Sequence, residues 1–451
     1  MTTQQQTGWR FASRRDPAGA AAPAADEESI ELLPVENDAL TLNLPAITTS
    51  TIYDGDAPAA ESFLRARIAE IVRANPWLVG RLARDGAGRV RLVYKRELSS
   101  ETATAEAARV FAVTDAPGLD PSQPYDAVAG ALKGFMVPRG VELLALRASP
   151  PPPLLRITLV RASQPRCFAV VFSFSHVCGH GATHYELHAM LSATPGGGGG
   201  PRSLRVVRRN AREYSAAADA LMGGAPDAVN EGVRWIMGVG SILRIVSLMA
   251  TGPRPRAVLA RVSPQWVVEQ KAAAAAAAAS VPNAATTTAF VSTNDLIVSA
   301  LARLSGDDLI LMAANLRNRV LDLTSEDAGN YETLLALLGE DTATPAGVRR
   351  AVAPGRLQRA ARASPALPGA LAAPFTRASV CTNWSSFYRD VALPGSVLQR
   401  HLPIAETHAA NMESYVIFAP RAGEVEVICL TRNPRITAES LTAAFSPSPK
   451  N

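Results

Sequence analysis

Lysine is nearly missing from this 451-residue chain: only Lys95, Lys133, Lys271 and Lys450 occur, so a formal charge of +5 rests on arginine. The arginines are scattered among acids and form no basic stripe with interleaved aromatics, which argues against a nucleic-acid surface. An anionic, phosphate-bearing small molecule stays compatible with that charge. Cysteine is equally sparse. Cys167, Cys178, Cys381 and Cys429 stand far apart without a Cys-x-x-Cys pair, which excludes a zinc ribbon and suits reduced thiols in the cytoplasm or an organelle stroma. The opening residues carry Arg10, Arg14 and Arg15 but no apolar core of an export signal. An organelle-targeting reading survives beside the expected one, a disordered tail over residues 1–28. The sequon at Asn383-Trp384-Ser385 is then a chance match.

Long apolar runs are absent too. The one membrane candidate, Val233 to Ala250, is interrupted by Arg234 and Arg244, so no transmembrane span is expected. The segment reads as a buried or amphipathic helix, with interfacial lipid contact as the alternative.

What is present describes a folded protein. Hydrophobic residues make up 47% and charged residues 19%, and the length exceeds what one core usually supports, so two lobes of roughly 200 residues are expected. Leu64, Ile68, Ile71 and Val72 fall at helical spacing within Ala59 to Arg73, and Pro76 ends that helix. Strands are expected at Val90 to Tyr94, Leu155 to Val160, Cys167 to Ser175 and Leu309 to Ala314, with a hairpin about Arg421-Ala422-Gly423. In Cys167 to Ser175, Phe168, Val170, Phe172 and Phe174 share one face and small residues the other, the pattern of an interior strand. Helices start at Ser263-Pro264 and at the capping box Ser292 to Asp295. Gly196 to Gly200 reads as a flexible insertion and Ala272 to Ala279 as helix extension. Strands and helices mix without regular βαβ alternation, so the class is α+β.

The six histidines carry most of the chemistry. His176, His180, His184 and His188 are four apart, and His401 and His408 are distant in sequence. On one helix such spacing would stack four imidazoles, a metal-site geometry. Gly179 and Gly181 break the first half of that helix, and Glu186 stands midway between His184 and His188, unlike the zincin orders. No metal site is expected. His176 ends a hydrophobic strand and opens a glycine-containing loop, a rigid mount for a reactive side chain with room for a ligand. A neutral imidazole there can act as general base toward a hydroxyl or amine attacking a thioester. No nucleophile elbow or Cys-His arrangement competes, which favours direct transfer over a covalent intermediate.

The segment His176 to Gly181 resembles the HxxxDG signature of the chloramphenicol acetyltransferase-like superfamily, which includes BAHD acyltransferases and peptide-synthetase condensation domains. Three more stretches appear in the family's order. Asn75-Pro76-Trp77-Leu78-Val79-Gly80-Arg81-Leu82 is similar to the first-lobe motif, Asn315-Leu316-Arg317-Asn318-Arg319 with Gly329-Asn330-Tyr331 to the "DxRxR…GN" segment, and Thr382-Asn383-Trp384 to the "TSW" segment. The resemblance implies two similar α/β lobes, residues 29–195 and 256–451, joined by a linker at 196–255 that carries the amphipathic helix, with a tunnel at their interface. It implies an acyl-CoA co-substrate with no bound cofactor, and a small-molecule alcohol acceptor, less readily an amine, lipophilic if the amphipathic helix lies on the surface. A monomer is expected. His176 would be the base, and Thr382 or Trp384 would face the developing oxyanion.

The pattern departs from the family at two points. His180 stands where the family has the aspartate that pairs with an arginine, here Arg317 or Arg319, to fix the loop. A histidine beside arginine stays neutral and accepts at most one hydrogen bond, so loop order must come from elsewhere. The "DFGWG" segment is replaced by Val391-Ala392-Leu393-Pro394-Gly395. These departures indicate a divergent branch and leave open a non-catalytic member kept as a binding or scaffold subunit.

Overall fold

A computed structural model describes residues 24–447 except 117, 147–149, 195–199, 280–289, 354, 360–365 and 406–411. Most of the expected disordered tail, most of the glycine insertion and His408 therefore lie outside the described residues. Within the tail's expected span, Glu27–Glu31 is a strand, because it pairs antiparallel with Val90–Lys95.

Three sheets organise the chain. A small one joins Glu27–Glu31, Val90–Lys95 and Arg81–Arg84. The second runs Ser396–Pro403, Ile47–Gly55, Cys167–Phe174, Leu155–Arg161, Phe111–Asp115, and the third runs Glu332–Leu338, Leu309–Asn315, Ala378–Asn383, Glu413–Phe418, Glu426–Thr431, Arg256–Arg261. The helix Ala57–Ala74 starts at an Asp56 cap and buries Leu64, Ile68, Ile71 and Val72, the stripe its spacing predicts.

Cys167–Phe174 is interior, as its composition requires, and its pleat divides two cores. Phe168, Val170, Phe172 and Phe174 enter the first-lobe core. Ala169 and Val171 face the other way, where they join Ile52, Val160, Leu402, Phe418, Ile428 and Leu430 in a cluster shared by the second and third sheets. Burial of that cluster holds the lobes together, since apolar area removed from water stabilises at roughly 25 cal/mol per Å².

One strand crosses between lobes. Ser396–Pro403 comes from the second half of the chain but pairs antiparallel with Ile47–Gly55, placing His401 opposite Thr51. The five residues in place of "DFGWG" lead into it and are tied to the first lobe: Tyr53 Oη donates to Val391 O at 2.8 Å, and the Asp56 N–H donates to Gly395 O at 3.1 Å. Gly395 takes φ +64°, the left-handed region that glycine enters without strain.

Ala228–Thr251 is, by length and composition, long and apolar enough to cross a membrane. It is not one straight rod. Helix Glu231–Ile236 ends at Met237 and a second helix, Val239–Thr251, starts after Gly238.

Candidate active site

His176 sits one residue beyond the end of Cys167–Phe174, in a turn closed by the Cys178 N–H donating to Ser175 O at 3.1 Å. Its side chain is half-buried. Burial pushes its pKa from 6.5 down to about 4, with its own backbone opposing weakly. It is therefore neutral at pH 7, the form a general base needs. Neither of two surface cavities, one bordered by Leu143 and Pro151 and the other by Tyr125 and Leu402, includes it.

Helix Gly181–Ala189 follows, with His180 as its N-cap. His180 is buried, and its Nε2 lies 2.8 Å from Arg317 Nη1. A guanidinium has only N–H groups to offer, so Nε2 must be the acceptor and the imidazole proton must sit on Nδ1. That nitrogen is 3.4 Å from Glu332 Oε2. The Ala182 N–H also approaches Nδ1, at 3.2 Å, but it cannot be accepted by a nitrogen that already carries a proton. Burial, followed by the charge of Arg317, drives the His180 pKa well below 6.5. Glu332 is thus the acidic group beside the imidazole that stands where the HxxxD pattern has its aspartate. Burial raises the Glu332 pKa to about 7 against the attraction of Arg317.

This chain of contacts makes Glu332 a positioning residue, and the variants that test it separate charge from bulk. Glu332→Gln is expected to lower turnover about tenfold with little change in KM, by letting the imidazole and guanidinium shift. His180→Asp in that background is expected to restore turnover by pairing directly with Arg317. Wild-type kinetics in Glu332→Gln would show that the carboxylate does nothing for the loop.

Arg317 also donates to Asp327 O at 2.9 Å, Gly329 O at 2.9 Å and Thr183 Oγ1 at 3.1 Å. Arg319, the other expected partner, is exposed and has Arg349 as its charged neighbour, not His180. Asn330 Nδ2 donates to His176 O at 2.9 Å and Val177 O at 3.3 Å. Sequence reasoning missed two further braces. Arg208 donates to Cys178 O at 3.0 Å and pairs with Glu36 at 2.8 Å, both side chains being almost wholly buried. Glu36 Oε1 in turn accepts the Asn330 N–H at 2.9 Å. The side-chain bonds from Asn330 and Arg208 to the loop end on the main-chain carbonyls of residues 176–178. No motif signals them, because a carbonyl has no residue identity.

Trp384 follows the strand Ala378–Asn383 and lies against the start of the loop helix: a Cβ on Gly181 would stand 2.7 Å from Trp384 Nε1. Gly181 is thus needed for the close approach of the indole. Thr382 is half-buried within the third sheet, paired with Val416. The structure brings Trp384 to the loop and shows no hydrogen bond from Thr382 to it among the described residues.

The other described histidines meet behind the loop. His184 Nε2 bonds Thr49 Oγ1 at 3.0 Å, His188 Nε2 bonds Thr51 Oγ1 at 3.2 Å, and His401 bridges Thr51 Oγ1 at 2.9 Å and Tyr185 Oη at 3.1 Å. His401 was distant in sequence, and the crossing strand delivers it. Among the described residues no group of three or more His, Cys, Asp or Glu side chains could hold a metal ion.

Solved structures share this architecture. TRI101 of F. graminearum, complexed with ethyl coenzyme A, matches with a TM-score of 0.53 at 13% identity, over 89% of this chain and 94% of that one. The first condensation domain of the CDA synthetase matches at 0.53 and 15% identity, over 92% and 93%. Polyketide synthase associated protein 5 from Mycobacterium tuberculosis matches at 0.51 and 13% identity, over 93% and 97%. What is shared at these identities is the fold, and it is that of the two-lobed chloramphenicol acetyltransferase-like proteins. No protein-family model and no curated protein matches the sequence.

Proposed function

We propose that the protein is an acyltransferase that moves an acyl group from an acyl-CoA thioester to the hydroxyl of a small-molecule acceptor, with His176 as general base. The observation that carries this reading is a neutral, half-buried imidazole at a strand end whose loop is fixed by bonds to its carbonyls. Solved structures of this fold are of TRI101 with coenzyme A together with T-2 mycotoxin or deoxynivalenol, a thiol cofactor beside a small molecule.

In the forward step His176 takes the acceptor proton as the oxygen attacks the thioester carbonyl. The tetrahedral intermediate then expels the CoA thiolate, which recovers the proton from the imidazolium and leaves as the thiol. A base whose conjugate acid has a pKa near 4 returns that proton readily to a thiolate. The indole N–H of Trp384 is the chemically suited donor for the oxyanion. The replacement of the loop aspartate favours the non-catalytic alternative, and the approach of Glu332 to His180 Nδ1 at 3.4 Å supports the catalytic one.

The test is thiol release, followed with DTNB, across short- to long-chain acyl-CoA donors and an alcohol panel. Acceptor-dependent release is expected. Absence of release from every donor, together with a partner that co-purifies at fixed stoichiometry, would establish the scaffold reading instead.

A further inference from the structure

The helix Val239–Thr251 turns its apolar stripe outward. Val239, Ile242, Leu243, Val246 and Met249 recur at helical spacing and are 42–62% exposed. An ordinary surface helix buries that stripe. This one is held by its other side: Ser241 Oγ donates to Trp235 O at 2.7 Å, and Gly240 approaches so closely that a Cβ there would meet Ala370 O at 2.4 Å. The approach sets the segment 368–375 beside the helix, where Leu371 and Phe375 are 91% and 84% exposed. Seven large exposed apolar side chains are thus gathered on the helix and the segment beside it, a grouping of the kind that marks an interaction surface.

The chain on either side of it is rich in arginine. No acid occurs in the chain between Glu231 and Glu269, where Arg234, Arg244, Arg254, Arg256 and Arg261 lie, and none occurs between Asp341 and Asp390. Acids approach from neighbouring elements: Asp227 pairs with Arg234, Glu231 with Arg359, Asp308 with Arg377 and Glu424 with Arg261, Asp307 bonds Ser379 and Tyr415, and Glu413 acts on Arg244.

We propose that this patch is a membrane-surface anchor that lies in the interface of a bilayer bearing anionic headgroups. The helix of 13 residues is about 20 Å long at 1.5 Å per residue, too short for a hydrocarbon core of roughly 30 Å. The break at Met237-Gly238 keeps it from continuing as a span. Two nearly bare side chains on a turn, Leu371 and Phe375, suit insertion among acyl chains better than docking in a protein groove, because they protrude. Arg244, on the helix itself, and Arg254, just beyond its end, supply cationic groups that complement anionic phospholipid headgroups.

The experiment is flotation of the full chain with vesicles of phosphatidylcholine alone and of phosphatidylcholine mixed with phosphatidylglycerol, with light scattering of the free protein. The expected result is binding to the mixed vesicles that weakens at high salt, and at least a tenfold loss of partitioning in L243S/V246S/L371S/F375S. Because these side chains are exposed, the variant should keep the wild-type melting temperature. A wild-type chain that stays in solution, or a variant that floats equally well, overturns the proposal. So does a wild-type dimer that the same substitutions render monomeric, since the patch would then be a contact between copies.

Discussion

His176→Ala is expected to reduce acyl transfer by about 100- to 10,000-fold, the usual contribution of a positioned general base, while leaving the melting temperature within a few degrees of wild type. The reason for the second half of that statement is how the loop is held. Asn330 reaches the His176 carbonyl, which alanine keeps, and Arg208 reaches that of Cys178. Nδ1 of the imidazole has no hydrogen-bond partner within the structure, so its removal leaves no buried group unpaired. A drop in rate without a drop in stability separates a catalytic residue from a packing one. Over the pH range in which the protein stays folded, the wild-type rate should show no acid limb at the ordinary histidine value of 6.5, because burial holds the imidazole pKa down at about 4. Full turnover in the alanine variant would remove His176 from the reaction.

Much of the fold was legible because its signals are local. Phe168 to Phe174 alternate, Leu64 to Val72 repeat at helical spacing, and Ser292 caps a helix with Asp295 returning the bond. Each of these patterns is enforced by backbone geometry within a few residues. The crossing strand was not legible: nothing in Ser396–Pro403 states that its partner is Ile47–Gly55, almost 350 positions earlier. For the same reason His401 could not be joined to His184 and His188. At the site, the order of motifs located His176, His180, Arg317 and Asn330, and the structure groups these four around one loop. It does not bring Arg319 there: that side chain is exposed and has Arg349 as its charged neighbour. Glu332 was invisible as a substitute carboxylate since it lies in another strand, and Glu36 and Arg208 grip main-chain atoms that no residue pattern encodes. The outward stripe on Val239–Thr251 has the same cause: spacing shows that a helix is amphipathic but does not say which way it faces.

Acidification is expected to unfold the protein steeply, well before its carboxylates titrate. His184, His188 and His401 are at most 2% exposed, and burial lowers all three pKa values, to about 4 for His188 and well below 6.5 for the others. Their partners are hydroxyls, and the charges nearest to His184 and His401 are other imidazoles, so nothing compensates a proton added there. The unfolded chain takes up those protons at the ordinary pKa near 6.5. Between that value and the folded pKa the unfolded state binds more protons, so stability is complete above pH 6.5 and falls as pH falls. His180 and His176 add two more protons of the same sign, and Glu332, raised to about 7, binds its proton earlier in the folded state and cancels one of them across this window. Four protons remain, which corresponds to about 5 kcal/mol lost per pH unit once the unfolded histidines are charged. Against a net stability of roughly 5–15 kcal/mol for a folded protein, about one to three units of further acidification are enough. Urea midpoints at fixed temperature should therefore drop sharply from pH 6 to pH 4.5. His401→Gln should lower stability at pH 7.5 by losing bonds to Thr51 and Tyr185, yet flatten the pH slope by about one-quarter, because one of four protons is no longer taken up on unfolding. An unfolding midpoint that stays constant from pH 7 to pH 4.5 would mean that the imidazoles reach water or a carboxylate in solution, and that the cluster is not the sealed neutral core its contacts describe.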